Sequence, residues 1–300
     1  MDIWQPEPGE TLLTRAYVAF ATGDATPVSG MRWFRDTERN DIQHELPGWP
    51  EGPLYTANSP GRSLGRNAAK VGLKALYVTV VGALTSQGGS VGPAPHARSS
   101  ADRADEVDDF PVMWAAPGSV ARTLPWQLDP GRTSERHYRT HAVVTDRRLV
   151  IVGLQHYKKD HSVIEDEILW EVERPRIHHV ELRDYKQASD IKVTFTDDSW
   201  CRLRALNRAK LARYLAHPFT LITPDHLTPE LRGATETFIA TARVPGLRDP
   251  VVTRRPCGHY LIEALVPGEL NSTFGAGSIT HSVNADGTDP RPGELHPEDL

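Results

Sequence analysis

The clearest hydrophobic signal has a period of two and lies between residues 110 and 206. Ile191, Val193 and Phe195 alternate with Lys192 and Thr194, and Asp197-Asp198-Ser199 then gives a turn signal. Beyond it Cys201, Leu203 and Ala205 alternate with Arg202 and Arg204, so the stretch predicts a β-hairpin with one buried face. A second tight turn, Asp146-Arg147-Arg148, is flanked by the apolar runs 142–145 and 149–152. Ile168, Trp170 and Val172 alternate with Leu169 and Glu171; Pro175 breaks the run, and Val180 and Leu182 continue on a further strand.

Helical periodicity appears in three places. In residues 62–84, Leu73, Leu76, Tyr77, Val80, Val81 and Leu84 line one face, while Arg62, Arg66, Lys70 and Lys74 recur every four residues along another. Asn207 is a good N-cap for a helix that turns Leu211, Tyr214 and Leu215 inward and Arg208, Lys210 and Arg213 to water, with Pro218 as its stop. Thr228 and Pro229 open a third helix running to about Arg243, with Leu231, Phe238, Ile239 and Ala242 as its inward positions.

These patterns predict six stretches: an N-terminal segment 1–61, in which Thr11 to Ala21 is apolar enough for a short strand or helix; the amphipathic helix 62–84; a Gly/Ser/Pro-rich, then acidic, linker 85–109; a β domain 110–217; a helical extension 218–266; and a disordered tail 267–300. The 300 residues carry a net charge of −5, too mild to imply a nucleic-acid partner. Two isolated cysteines, Cys201 and Cys257, make neither a disulfide framework nor a zinc site, so a reducing cytoplasm is the expected compartment. The opening Met1-Asp2-Ile3-Trp4 has no basic or apolar leader character, which predicts no secretory signal.

Two local motifs narrow the fold. Val144-Thr145-Asp146-Arg147-Arg148-Leu149 resembles the T-(D/N)-x-R-L hairpin of bacterial pleckstrin-homology-like and GRAM domains. Phe195-Thr196-Asp197-Asp198-Ser199 is similar to the F-x-D-G-S hairpin that precedes their C-terminal helix, and Ile168-Leu169-Trp170-Glu171-Val172 resembles their central strand. The resemblance covers about a third of the chain. It departs from the pattern where Asp198 replaces the usual glycine, and Asp is among the residues that best tolerate a left-handed turn. No basic cluster of the kind that binds inositol phosphates stands in the first hairpin. The resemblance implies an α+β fold: a PH/GRAM-like antiparallel β-barrel or orthogonal sandwich capped by a C-terminal helix. The family also serves protein contacts, so the fold does not fix the ligand.

Several residues invite a chemical reading. Gly61-Arg62-Ser63-Leu64-Gly65 matches the nucleophile elbow, with Ser63 as the nucleophile of a serine hydrolase, but no apolar strand precedes it as that geometry needs. The competing reading is a loop in which Ser63 caps a helix. His137 and His141, the pair His178-His179, and Cys257-Gly258-His259 lack a third metal ligand. Cys201 alternates into the core face, as an inert thiol would. Among the tryptophans, Trp170 fits a core strand. Trp200 shares a face with Arg202 and Arg204, which makes either a surface contact for a partner or a cross-strand packing pair.

The cationic face of helix 62–84 suits an anionic lipid surface, each basic residue being worth about 1 kcal/mol there. Its apolar face suits equally the protein itself or a second copy of the chain. The combined expectation is a non-catalytic binding or adaptor protein in the cytoplasm, with attachment to the inner membrane face as a further expectation. Its partner would be a protein or an anionic lipid surface, with no nucleic acid, metal or small-molecule cofactor. A homo-oligomeric subunit and a hydrolase are the alternatives.

Overall fold

The computed structural model describes residues 3–21, 34–38, 40, 42, 45, 111–129, 138–155, 165–183, 190–216, 219–266, 275, 277–291 and 293–294. The expected helix 62–84, with Arg62, Ser63, Arg66, Lys70 and Lys74, and the expected linker 85–109 lie outside the described residues, as does His137. What is described is mixed α+β, with a curled half-barrel sheet, a second sheet of four strands, and two α-helices.

The half-barrel is made by seven antiparallel strands. Strand β1 is Leu12–Phe20. Two very short strands, β2 (Phe34–Arg35) and β3 (Met113–Trp114), follow. Then come β4 (Tyr138–Thr145), β5 (Arg148–Gln155), β6 (Asp166–Glu173), β7 (Ile177–Arg183), β8 (Asp190–Phe195) and β9 (Trp200–Ala205). Leaving out β2 and β3, the neighbours run β6–β5–β4–β1–β9–β8–β7, so two meanders are joined through β1. Its first half pairs with β4, from Leu12 opposite Thr145 to Tyr17 opposite His141. Its last three residues pair with β9, from Val18 opposite Ala205 to Phe20 opposite Leu203. The sheet therefore takes a central strand from residues 1–61, and the expected 110–217 boundary does not enclose it. One strand serving both meanders curls the sheet around its core.

That core fills from both meanders. Val18, Phe20, Val144, Ile151, Ile191, Val193, Phe195 and Leu203 are among its buried members. The hairpin alternation read from the sequence places Ile191, Val193 and Phe195 inside on β8, and Cys201, Leu203 and Ala205 inside on β9. At the β8–β9 turn Asp198 takes φ 63°, a left-handed conformation that Asp tolerates better than most residues. The end of the half-barrel is closed by helix α1 (Arg208–Leu215), capped by the Asn207 side chain and burying Leu211, Ala212, Tyr214 and Leu215.

Residues 218–300 differ from expectation in two ways. The extension 218–266 is not only helical: it holds helix α2 (Pro229–Ala242) and three strands, β10 (Thr220–Ile222), β11 (Val251–Arg254) and β12 (Tyr260–Val266). The tail is not wholly disordered either, because Gly277–Val283 forms β13 along the full length of β12. Its side chains are mostly polar, and only Ile279 and Val283 are buried, so the segment is too poor in apolar residues to announce itself. The order is β10–β11–β12–β13, antiparallel throughout. On one face of this sheet α2 packs through Leu231 onto Val252, Ile262 and Val283.

The opposite face rests on α1. Lys210 was expected in water. Instead it forms an ion pair with Glu263 of β12 and donates to Ser278 Oγ of β13 at 2.9 Å, because the second sheet covers that side of the helix. Tyr214 donates to the same Glu263. Farther on, Gly275 (φ 85°) bridges to Ala16 of β1, and a Cβ on it would stand 2.4 Å from the Arg15 carbonyl oxygen. The tail is thereby tied to the half-barrel at a point only glycine can occupy.

Candidate functional site

A groove of about 390 Å³ opens where β6 leads into β7. One wall is β6 itself, from Trp170 to Glu173; the other is the turn Gly118–Val120 with Thr123; Arg176 stands at its end. Trp170 forms the floor, and its Nε1 donates to Thr123 Oγ1 at 2.7 Å, joining the two walls. The turn wall is fixed from elsewhere in the fold. Residues Val120–Thr123 form one turn of 3-10 helix, whose first N–H groups need acceptors. Val120 N–H donates to Asp197 Oδ2 at 2.7 Å and Ala121 N–H to Ser199 Oγ at 3.1 Å. Burial alone would raise the Asp197 carboxyl, yet bonds from the Ser199 hydroxyl and the Val120 N–H hold it below its ordinary range. The F-x-D-x-S hairpin thus acts as a bracket for the groove.

Strand β6 carries the charge. Glu167, Glu171 and Glu173 are exposed, and among the described residues only Glu171 is ion-paired, with Arg148 at 3.0 Å. Ile168 of the same strand is 57% exposed.

Of the residues singled out on β9, Trp200 and Arg202 are buried. Trp200 stacks on Trp114 of β3, with ring centroids 6.3 Å apart and planes 4° apart, and the Lys192 ammonium lies 4.2 Å from its ring centroid. It is the cross-strand packing pair, not a free contact. Arg202 is fully buried, ion-paired with the equally buried Asp190 and donating to the Pro111 carbonyl at 3.1 Å. Arg204 is half-buried. The period-two pattern did put these three opposite the core; residues 111–115 then cover most of that side.

Other reactive side chains hold the fold together. Arg15 of β1 makes two bonds to Asp166, at 2.6 and 2.7 Å, and donates to His141 Nδ1 at 2.9 Å. The same Asp166 accepts the Trp4 N–H at 2.6 Å, and the Trp4 ring covers Val143, Val150 and Val152 on the outer face of the half-barrel. The T-D-x-R turn is tied to the same N-terminal segment. Thr145 Oγ1 donates to Glu10 at 2.6 Å, Asp146 accepts from Thr11 N–H at 2.7 Å, and Arg148 pairs with Glu10 and Glu7. Arg174, at the corner between β6 and β7, donates to the carbonyls of Thr145 and Tyr214, and burial lowers its guanidinium to about 10. Cys201 is buried, and that burial pushes its thiol well above the ordinary range.

Among the described residues no group of three or more His, Cys, Asp or Glu side chains could hold a metal ion, and no helix is long and apolar enough to cross a membrane. His178 and His179 are exposed on β7, and Cys257 and His259 lie half-buried at a turn. The groove itself was not singled out from the sequence, where Trp170 read only as a core residue. The one signal was the acidic content of β6, with Asp166, Glu167, Glu171 and Glu173 set among four apolar residues. No family model, curated protein or solved structure matches the chain.

Proposed function

We propose that the protein is a non-catalytic binding or adaptor protein, built on a PH/GRAM-like half-barrel, whose contact surface is the groove beside β6. The resemblance implies an antiparallel barrel or orthogonal sandwich capped by a C-terminal helix; a curled antiparallel sheet followed by α1 is consistent with it, and its two motifs lie at the β4–β5 and β8–β9 turns. The observation that carries the reading is the groove's construction. Its tryptophan floor is bonded to one wall, and that wall is pinned by a separate hairpin, so the surface is shaped in advance. A preformed concave site loses little ordering entropy when a partner enters.

A photo-crosslinking residue placed at Glu173 tests this in the cells the protein comes from, with Thr237, exposed on α2, as the control position. A discrete adduct with another protein from position 173 and none from position 237 is expected. No adduct, or an adduct with a second copy of the chain alone, overturns the reading. Esterase turnover that disappears in Ser63→Ala also overturns it, in favour of the hydrolase.

A further inference from the structure

We propose that the partner engages this surface as an extended, basic segment that adds a strand to the free edge of β6. The inference rests on the contact-surface reading above and gives the partner its chemistry.

Among the described residues β6 pairs with β5 alone, so its second edge presents a row of backbone N–H and C=O groups. Eight residues of strand give an edge of about 26 Å, enough for a ladder of several hydrogen bonds. Such edges are commonly blunted by proline, lysine or a β-bulge; β6 contains no proline or lysine, and its bulge, at Leu169, precedes the stretch Trp170–Glu173 beside the groove. Its exposed charges are all carboxylates.

Register supplies the specificity. Trp170 and Val172 lie opposite Ile151 and Leu149, on the core side of β6, whereas Glu171 and Glu173 lie opposite Val150 and Arg148 of β5 and line the groove from the other face of the strand. A strand laid beside β6 alternates in the same way. Every second side chain lies beside Trp170 and Val172, where an apolar residue fits; the intervening ones stand beside the glutamates, where lysine or arginine fits. Like charges directly opposite destabilise a strand pair, so two β6 edges repel one another, and an anionic lipid surface is repelled likewise. Charge complementarity therefore selects a basic peptide over a second copy of the chain or a membrane.

The test uses the full chain and a fluorescent, end-blocked peptide of about ten alternating lysines and valines, followed by anisotropy at low salt. The expected result is saturable binding, weakened at least about tenfold by N-methylating alternate backbone amides of the peptide. Binding should fall by a similar factor in the surface variant Glu171→Lys/Glu173→Lys and decline as salt rises. Indifference to N-methylation overturns the proposal, because attraction of charges without backbone pairing would explain it. Absence of binding also overturns it, as does dimerisation of the free chain that the double variant alters. A crosslink from Glu173 to another protein together with no peptide binding would reject strand addition and leave the contact-surface reading standing.

Discussion

Arg202 and Asp190 show how much one side chain's setting matters. Both are fully buried, and removing one partner leaves an uncompensated charge in the interior. Asp190→Ala is expected to cost about 3–5 kcal/mol, whereas Arg202→Met with Asp190→Leu should come out close to neutral. Urea midpoints at constant m-value measure both, and a near-neutral Asp190→Ala would show that water reaches the pair. The thiols differ in the same way. Cys201 is buried with its ionisation pushed up, and Cys257 is half-exposed. A maleimide should modify one thiol in the native protein, at Cys257, and the second only on unfolding, as mass spectrometry would record. Sequence periodicity assigned Arg202 the correct side of its strand. It missed the burial because the residues that cover that side, 111–115, lie about ninety positions away.

Strand β1 governs how the polypeptide is divided. It lies between β4 and β9, and 117 residues separate its last residue, Phe20, from the next long strand at Tyr138. A fragment 110–217 lacks the strand that joins the two meanders and is expected to show neither dispersed amide resonances nor a cooperative melt. Adding residues 1–21 through a short Gly/Ser linker should restore both. Folding of the fragment alone would mean that β4 and β9 can pair directly. The strap before β1 is open to a milder test: Trp4→Ala uncovers Val143, Val150 and Val152 and should cost about 3–5 kcal/mol, read as a lowered urea midpoint. Thr11 to Ala21 was apolar enough for either strand or helix, since short apolar runs fit both periods. The β8–β9 hairpin was legible because alternation and turn residues agree, and the tail strand β13 was not, because its neighbour β12 supplies most of the apolar contact.

The two sheets meet across α1, and their junction makes the whole protein sensitive to acid. Burial alone would raise the Glu263 carboxyl, but the Lys210 ammonium and hydrogen bonds from Lys210, Ser278 and Tyr214 hold it below its ordinary value. Glu10 is also lowered: burial opposes, and bonds from Arg148 and Thr145 prevail. Both carboxyls bind protons less readily folded than unfolded, so their contribution is complete above the ordinary carboxylate range and drains away as pH falls below it. Urea midpoints from pH 7 to pH 3 should therefore drop below about pH 4.5, with a shallower fall in Glu263→Gln. A slope unchanged by that variant would remove the junction as the acid-sensitive point. Tyr214 acts at the other end: burial raises its phenol, and the Glu263 carboxylate adds to that, so its contribution is present below pH 10 and lost above it.

Local steric preference and side-chain period were enough to place the hairpin turns, the caps at Asn207 and Thr228, and the inward faces of β8 and β9, because these depend on neighbours within a few positions; on β6 the alternation fails at Ile168, which a β-bulge at Leu169 turns outward. Which strands pair, and what covers their outer faces, depended on contacts as distant as Val18 with Ala205. Backbone hydrogen bonds are alike at every residue and name no partner, so only the packing of the complete chain chooses among them. The groove beside β6 belongs to that second class: its floor, walls and bracket come from residues 118–123, 170–176 and 197–199, which meet only once the half-barrel has closed.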